Sequence, residues 1–132
     1  MTIRSHRFDG QVACEITAGD RHRIIADEPT ATGGDDLGPN AHDLFDASLA
    51  ACTSITLMLY ARRKTWPLDD VRVTIERDNS REREGTYHLS RTIELVGALD
   101  AEQRTRLMEI ADRCPIHRLM THATIEIDTR AS

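Results

Sequence analysis

Aromatic side chains are scarce in this sequence, where Phe, Trp and Tyr make up 4% of 132 residues. That scarcity argues against a stacking platform for single-stranded nucleic acid and against an aromatic-rich binding surface. An excess of positive charge is also missing: 17 Lys and Arg against 22 Asp and Glu leave a formal net charge of −5 at pH 7. This is the wrong sign for general binding to a phosphate backbone. No apolar run approaches the roughly 20 residues that span a bilayer. The opening Met1-Thr2-Ile3-Arg4-Ser5-His6-Arg7-Phe8 has no signal-peptide h-region. Neither a nucleic-acid nor a membrane partner is therefore expected, and the expected location is cytoplasmic. The three cysteines, Cys14, Cys52 and Cys114, are too few and too dispersed for a disulfide framework or a Cys-x-x-Cys zinc site. With 39% hydrophobic and 30% charged residues, and no repeat or linker, the chain is expected to form a single domain over residues 1–132.

What is present reads as a mixture of strands and helices. Val12, Cys14 and Ile16 alternate with Ala13, Glu15 and Thr17 across Gln11–Thr17, the period of a half-buried strand, and put Cys14 on the apolar side as core filler. Gly19-Asp20 marks a turn, and Arg21–Ala26 reads as the strand returning. Asp27–Asn40, with Pro29, Gly33, Gly34, Gly38 and Pro39, is a long loop, either a lid or a plain connection. A helix is predicted from the Asn40 cap to about Lys64, with Asp43 reaching back to the cap and Leu44, Ala47, Ala51, Ile55, Met58 and Leu59 as its apolar stripe. The small residues of Ala47–Thr53 allow close packing by a neighbour.

Two strands around Val71–Glu76 and Tyr87–Leu95 are expected to flank a charged hairpin connection, Asp78–Gly85. Asp100 and Gln103 resemble a capping box for a second helix, with Leu107, Ile110, Ala111 and Cys114 on its apolar face. Ala123, Ile125 and Ile127 alternate as a last strand. The order β-β-(β), loop, α, β-β, α, β is an α+β fold, an antiparallel sheet packed against two main helices. The small-residue helix leaves room for a second subunit to complete the core.

Two cysteines stand out by context. If Pro115 opens a helical turn, Cys114 is its N-cap, where backbone N–H groups, the helix dipole and nearby Arg113, His117 and Arg118 favour a thiolate. Cys52, among Ala50, Ala51, Thr53 and Ser54, reads as structural unless a distant group activates it. The spacing of Cys114, His117 and His122 is also compatible with a metal-ligand cluster, an alternative weighed beside the thiol reading.

The segment Asn40-Ala41-His42-Asp43-Leu44-Phe45-Asp46-Ala47-Ser48-Leu49-Ala50-Ala51-Cys52 resembles the helix motif of the OsmC/Ohr family. That motif is an Asn-Pro-Glu-Glu-Leu-type opening that runs into Ala-Ala-Cys. Asp112-Arg113-Cys114-Pro115-Ile116-His117 resembles the family's second motif, a cysteine followed by proline, at a comparable separation. The loop Asp27-Glu28-Pro29 through Gly38-Pro39, Cys52-Thr53-Ser54 and Arg62-Arg63-Lys64-Thr65-Trp66-Pro67-Leu68 are similar to a branch whose members are sometimes fused to an α/β-hydrolase domain, which this chain lacks.

The resemblance implies an OsmC-like fold, an intertwined homodimer with active sites at the subunit interface, and a thiol peroxidase for organic hydroperoxides. By that analogy Cys52 attacks the O–O bond, Cys114 resolves the sulfenic acid as a disulfide, and a dithiol reductant restores both, with no cofactor or metal. The analogy thus gives attack to Cys52, whereas local context favours Cys114 as the activated thiol. The family's thiolate-stabilising Glu is replaced: His42 stands at its position and Asp43 at the next. For its N-terminal Arg, Arg21 and Arg23 are the candidates by region. The alternative is a non-enzymatic OsmC-like dimer that binds a small ligand or senses redox state.

Overall fold

The computed structural model describes residues 1–132. It opens with β1 (Ile3–Arg7), β2 (Cys14–Ala18) and β3 (His22–Ala26), paired antiparallel in that order. The β2–β3 turn has Gly19 at φ +59°, the left-handed region that a side chain disfavours. The expected alternation is corrected at its start. β2 begins at Cys14, Val12 is exposed, and the buried residue before the strand is Ala13. Cys14 is half-buried, opposite Arg7 and Ala26.

The long loop is a bonded connection built around Asp27. The Asp27 carboxylate accepts the backbone N–H groups of Glu28, Asp35 and Leu37 at 2.7, 3.2 and 3.1 Å. Burial raises its pKa, but the three N–H bonds outweigh that and hold it below the usual carboxylate value. Side chains at Gly34 and Gly38 would collide with the carbonyl oxygens of Glu28 and Ile25, so the glycines permit a close backbone approach.

Asn40 and Asp43 then start α1 (Ala41–Lys64) by capping each other: Asp43 N–H donates to Asn40 Oδ1 at 2.8 Å, and Asn40 N–H to Asp43 Oδ2 at 3.1 Å. By length and composition α1 qualifies to cross a bilayer, contrary to the expectation that no run does. One face of it, however, belongs to the protein core. The predicted stripe is also the wrong face. The buried residues are Asp46, Leu49, Thr53, Leu57 and Ala61, while Ala51, Ile55, Met58 and Leu59 are exposed. The helix carries apolar residues on both sides, and periodicity alone picked the more apolar one. At its end Thr65 N–H bonds Arg62 O and Trp66 N–H bonds Ala61 O, a Schellman closure with Thr65 at φ +60°.

The second half supplies β4 (Leu68–Asp78), β5 (His88–Gly97), α2 (Ala101–Ala111) and α3 (Pro115–His122). β4 and β5 form their own antiparallel pair, so the single expected sheet is two separate sheets. The α2 capping box is present, Gln103 N–H to Asp100 Oδ1 at 2.8 Å and Asp100 N–H to Gln103 Oε1 at 3.0 Å. Leu57 and Ala61 of α1, Leu68 and Val71 of β4, and Leu107, Ile110 and Ala111 of α2 make one core. The predicted last strand is absent. Residues 123–132 form no ladder, and Ile125 and Ile127 are exposed. An alternating segment becomes a strand only where a neighbour accepts its backbone bonds, and it pairs with none in this single chain. The chain divides into two compact units, Met1–Phe45 and Asp46–Ser132.

Candidate functional site

Both motif cysteines lie in the second unit. α2 ends at Ala111, so the expected place of Cys114 on its apolar face is corrected: Pro115 takes the first position of α3, and Cys114 is its N-cap. Its Sγ accepts the His117 backbone N–H at 3.3 Å, and the residue is fully buried. That geometry is the one expected if Pro115 opens a helical turn, with an amide donor and a positive helix end facing the sulfur. Cys52 sits midway along α1, half-buried, with Sγ 3.8 Å from Thr56 Oγ1. One sulfur is shielded and amide-bonded, whereas the other is reachable and faces a hydroxyl.

The segments that carry them are joined by Arg91, which the sequence reading passed over. Along β5 the half-buried face is Leu89, Arg91, Ile93 and Leu95, so an arginine occupies a position of apolar phase. Its Nη1 donates to Thr53 Oγ1 at 3.0 Å, and Nη2 lies 3.0 Å from Asp112 Oδ1 and 3.3 Å from His117 Nδ1. Thr53, next to Cys52, gives its hydroxyl proton to Leu49 O at 2.7 Å and so turns a lone pair toward Arg91. A guanidinium can only donate. His117 Nδ1 is therefore the acceptor, and the ring proton sits on Nε2. A cleft of about 480 Å³ opens beside Arg91 between Ile93, Met108 and Asp112. A larger one at Tyr60, Trp66 and the start of α2 includes neither cysteine.

A second inward arginine repeats the pattern on β4. Arg77 shares the phase of Val71, Val73 and Ile75, and its Nε lies 2.6 Å from Oδ2 of the buried Asp46. Asp46 Oδ1 accepts the Tyr87 hydroxyl at 2.7 Å. Burial first, and then the hydrogen bond and negative charge of Asp46, push the Tyr87 phenol up to about 12. Polar residues at the apolar phase of an otherwise alternating strand or helix are the signal that would have found Asp46, Arg77 and Arg91.

The remaining candidates have other placements. Asp43 holds the helix cap described above, and His42 is exposed on the first turn of α1. Arg21 is exposed in the β2–β3 turn, and Arg23 Nε lies 3.4 Å from Glu15 Oε1 across its own sheet. Cys114, His117 and His122 do not converge into a metal-ligand group.

Comparisons with known proteins bear on the family and the fold. The profile of a family described as OsmC-like protein matches residues 33–130. Among curated proteins no relative matches. Among solved structures, an osmotic stress induced and detoxification response protein from Psychrobacter arcticus is 18% identical, with a TM-score of 0.74 over 89% of this chain and 86% of the other. An OsmC-like protein from Mycoplasma pneumoniae is 20% identical, with a TM-score of 0.69 over 92% and 86%. The organic hydroperoxide resistance protein OsmC from Legionella pneumophila is 22% identical, with a TM-score of 0.64 over 92% and 88%. At these identities the structural likeness establishes the fold.

Proposed function

From the premise that the chain belongs to the OsmC-like family, we propose that it is a thiol-dependent peroxidase that reduces organic hydroperoxides through Cys52 and Cys114. The observation that carries the reading is the contrast between the two sulfurs. A bulky peroxide can approach half-buried Cys52, whereas fully buried Cys114 can meet only a partner inside the protein. The Cys52 thiolate attacks the terminal peroxide oxygen, the O–O bond breaks, and the departing alkoxide takes up the proton that the thiol released, giving a sulfenic acid and the alcohol. The Cys114 thiol then attacks that sulfur, forms the disulfide and releases water. An external dithiol returns both cysteines to thiols by exchange. In this reading the 132 residues act as one cytoplasmic OsmC-like domain. Asp43, His42, Arg21 and Arg23 remain candidates for tuning the Cys52 thiolate.

The proposed working unit is a homodimer. What supports it is unsatisfied apolar surface: Ile55, Met58 and Leu59 on the outer face of α1, and Ile125 and Ile127 on an alternating segment without a ladder partner. Light scattering should give twice the 14.9 kDa chain mass, and a stable monomer at micromolar concentration would count against it. A second reading, a small-ligand binder or redox sensor, is favoured by one observation: the carboxylate nearest the family's Glu position is engaged in the Asn40 cap. Consumption of cumene or tert-butyl hydroperoxide with a dithiol separates the two. Turnover that Cys52→Ser abolishes supports the peroxidase. No consumption by the wild type with any dithiol favours the binder or sensor.

A further inference from the structure

We propose that Arg91 is the positioning residue of the cysteine pair, holding the Cys52 helix and the Cys114 turn in the register that disulfide closure requires. The inference rests on the two-cysteine reading above and adds a residue that neither cysteine motif contains. Arg91 issues from the middle of β5, and its side chain is 11% exposed, so the guanidinium itself is largely shielded from water while its Asp112 partner is not. Each contact falls on a segment that sets a sulfur's position. Thr53 is the residue after Cys52 and is fully buried. Asp112 lies in the joint that aims Cys114. His117 binds Arg91 through its ring and, through its backbone N–H, holds Cys114 Sγ.

A planar guanidinium suits this task because its donors point in fixed, divergent directions, whereas a lysine offers one point charge on a flexible stem. The interior partners, Thr53 and His117, are a hydroxyl and an imidazole that leave the cation unneutralised. The paired carboxylate, Asp112, is 72% exposed. The arrangement therefore acts through the geometry of the two segments more than through a buried ion pair. Without Arg91, α1 and the α2–α3 joint still share the core through Leu57 and Ala111, but the hydrogen-bonded link from Thr53 to His117 is lost.

The test is the equilibrium between the Cys52–Cys114 pair and the glutathione couple, read by thiol alkylation and peptide mass in wild type, Arg91→Met and Arg91→Lys. This readout needs no hydroperoxide. The expected result is about a tenfold loss in the equilibrium constant for the disulfide in Arg91→Met, equivalent to about 30 mV, with Arg91→Lys between it and wild type. Thermal melts identify which variants are folded under the assay conditions, and Thr53→Val, which removes one Arg91 acceptor, provides a second and milder probe in the same direction. An unchanged equilibrium in the folded variants overturns the proposal, as does a wild type that forms no Cys52–Cys114 disulfide. A wild type that forms the disulfide but consumes no hydroperoxide removes the peroxidase reading alone, and the variant-to-wild-type ratio still decides the role of Arg91.

Discussion

Arg77 and Arg91 occupy the same kind of position and have opposite surroundings. Both project from the inward phase of neighbouring antiparallel strands, where side chains of apolar character are the rule. Arg77 meets a buried carboxylate, Asp46, which also holds the Tyr87 hydroxyl. Arg91 meets a threonine and a histidine inside and an exposed carboxylate outside, and its contacts reach both cysteine segments. A buried charge with its own counter-ion is a clamp, strongly destabilising when one partner is removed. A buried charge that bonds a hydroxyl and an imidazole on separate segments, with its carboxylate partner out in water, is a bracket, whose loss shows in geometry more than in stability. In the proposed account the first cluster serves stability and the second serves the geometry of the cysteine pair.

The largest expected effect breaks the clamp. Asp46→Ala leaves Arg77 and Tyr87 without their carboxylate and should cost about 2–4 kcal/mol of unfolding free energy, measured by urea denaturation. If the assignment is right, the folded fraction of Asp46→Ala keeps a Cys52–Cys114 redox equilibrium within about twofold of wild type. A loss of stability matched by an equal loss in that equilibrium would merge the two clusters into one network.

Next comes Tyr87→Phe, expected to cost about 1–2 kcal/mol because the bond it removes is to a charged group. The same residue gives a pH signature. Its folded pKa, about 12, lies above the ordinary tyrosine value of 10.0, so its contribution is fully present below pH 10 and is lost as pH rises through 12. Subtracting the phenolate absorbance titration of Tyr87→Phe from that of wild type should reveal one component with a midpoint near 12. A midpoint near 10 would show that the Asp46 cluster is open to water.

On the other side of the comparison the stability effects shrink. Thr53→Val keeps the shape of the side chain but removes the Leu49 and Arg91 bonds, and about 0.5–1.5 kcal/mol is expected. Asp112→Asn alters an ion pair whose carboxylate is 72% exposed, so its effect on stability should stay below about 0.5 kcal/mol. A larger loss from Asp112→Asn than from Asp46→Ala would reverse the assignment of clamp and bracket.

The parts of this protein legible in the sequence are those whose signals are local. Asn40 with Asp43 and Asp100 with Gln103 each mark a helix start through atoms a turn apart and are found where expected, and of the two roles open to Pro115 the structure takes the helix start. The parts that were not legible depend on partners far along the chain. The buried face of α1 differs from the one its periodicity predicts because Leu57 and Ala61 are chosen by β4 and α2, while the equally periodic Ile55, Met58 and Leu59 are left outside. The last alternating segment, Ala123–Asp128, has the pattern of a strand without a neighbour to make it one. Arg91 escaped notice because a charged residue within Leu89–Leu95 looks like an interruption of the pattern. Its meaning appears only when Thr53 and His117 are seen on the same guanidinium.

The central claim is that Cys52 and Cys114 form one redox pair driven by organic hydroperoxide. Its most direct test is peptide mapping of the wild type after treatment with one equivalent of cumene hydroperoxide, with free thiols alkylated before digestion. The account predicts a dominant peptide pair linking Cys52 to Cys114, with Cys14 recovered as the alkylated thiol. A dominant disulfide that includes Cys14, or Cys52 recovered alkylated after the peroxide has been consumed, would contradict it.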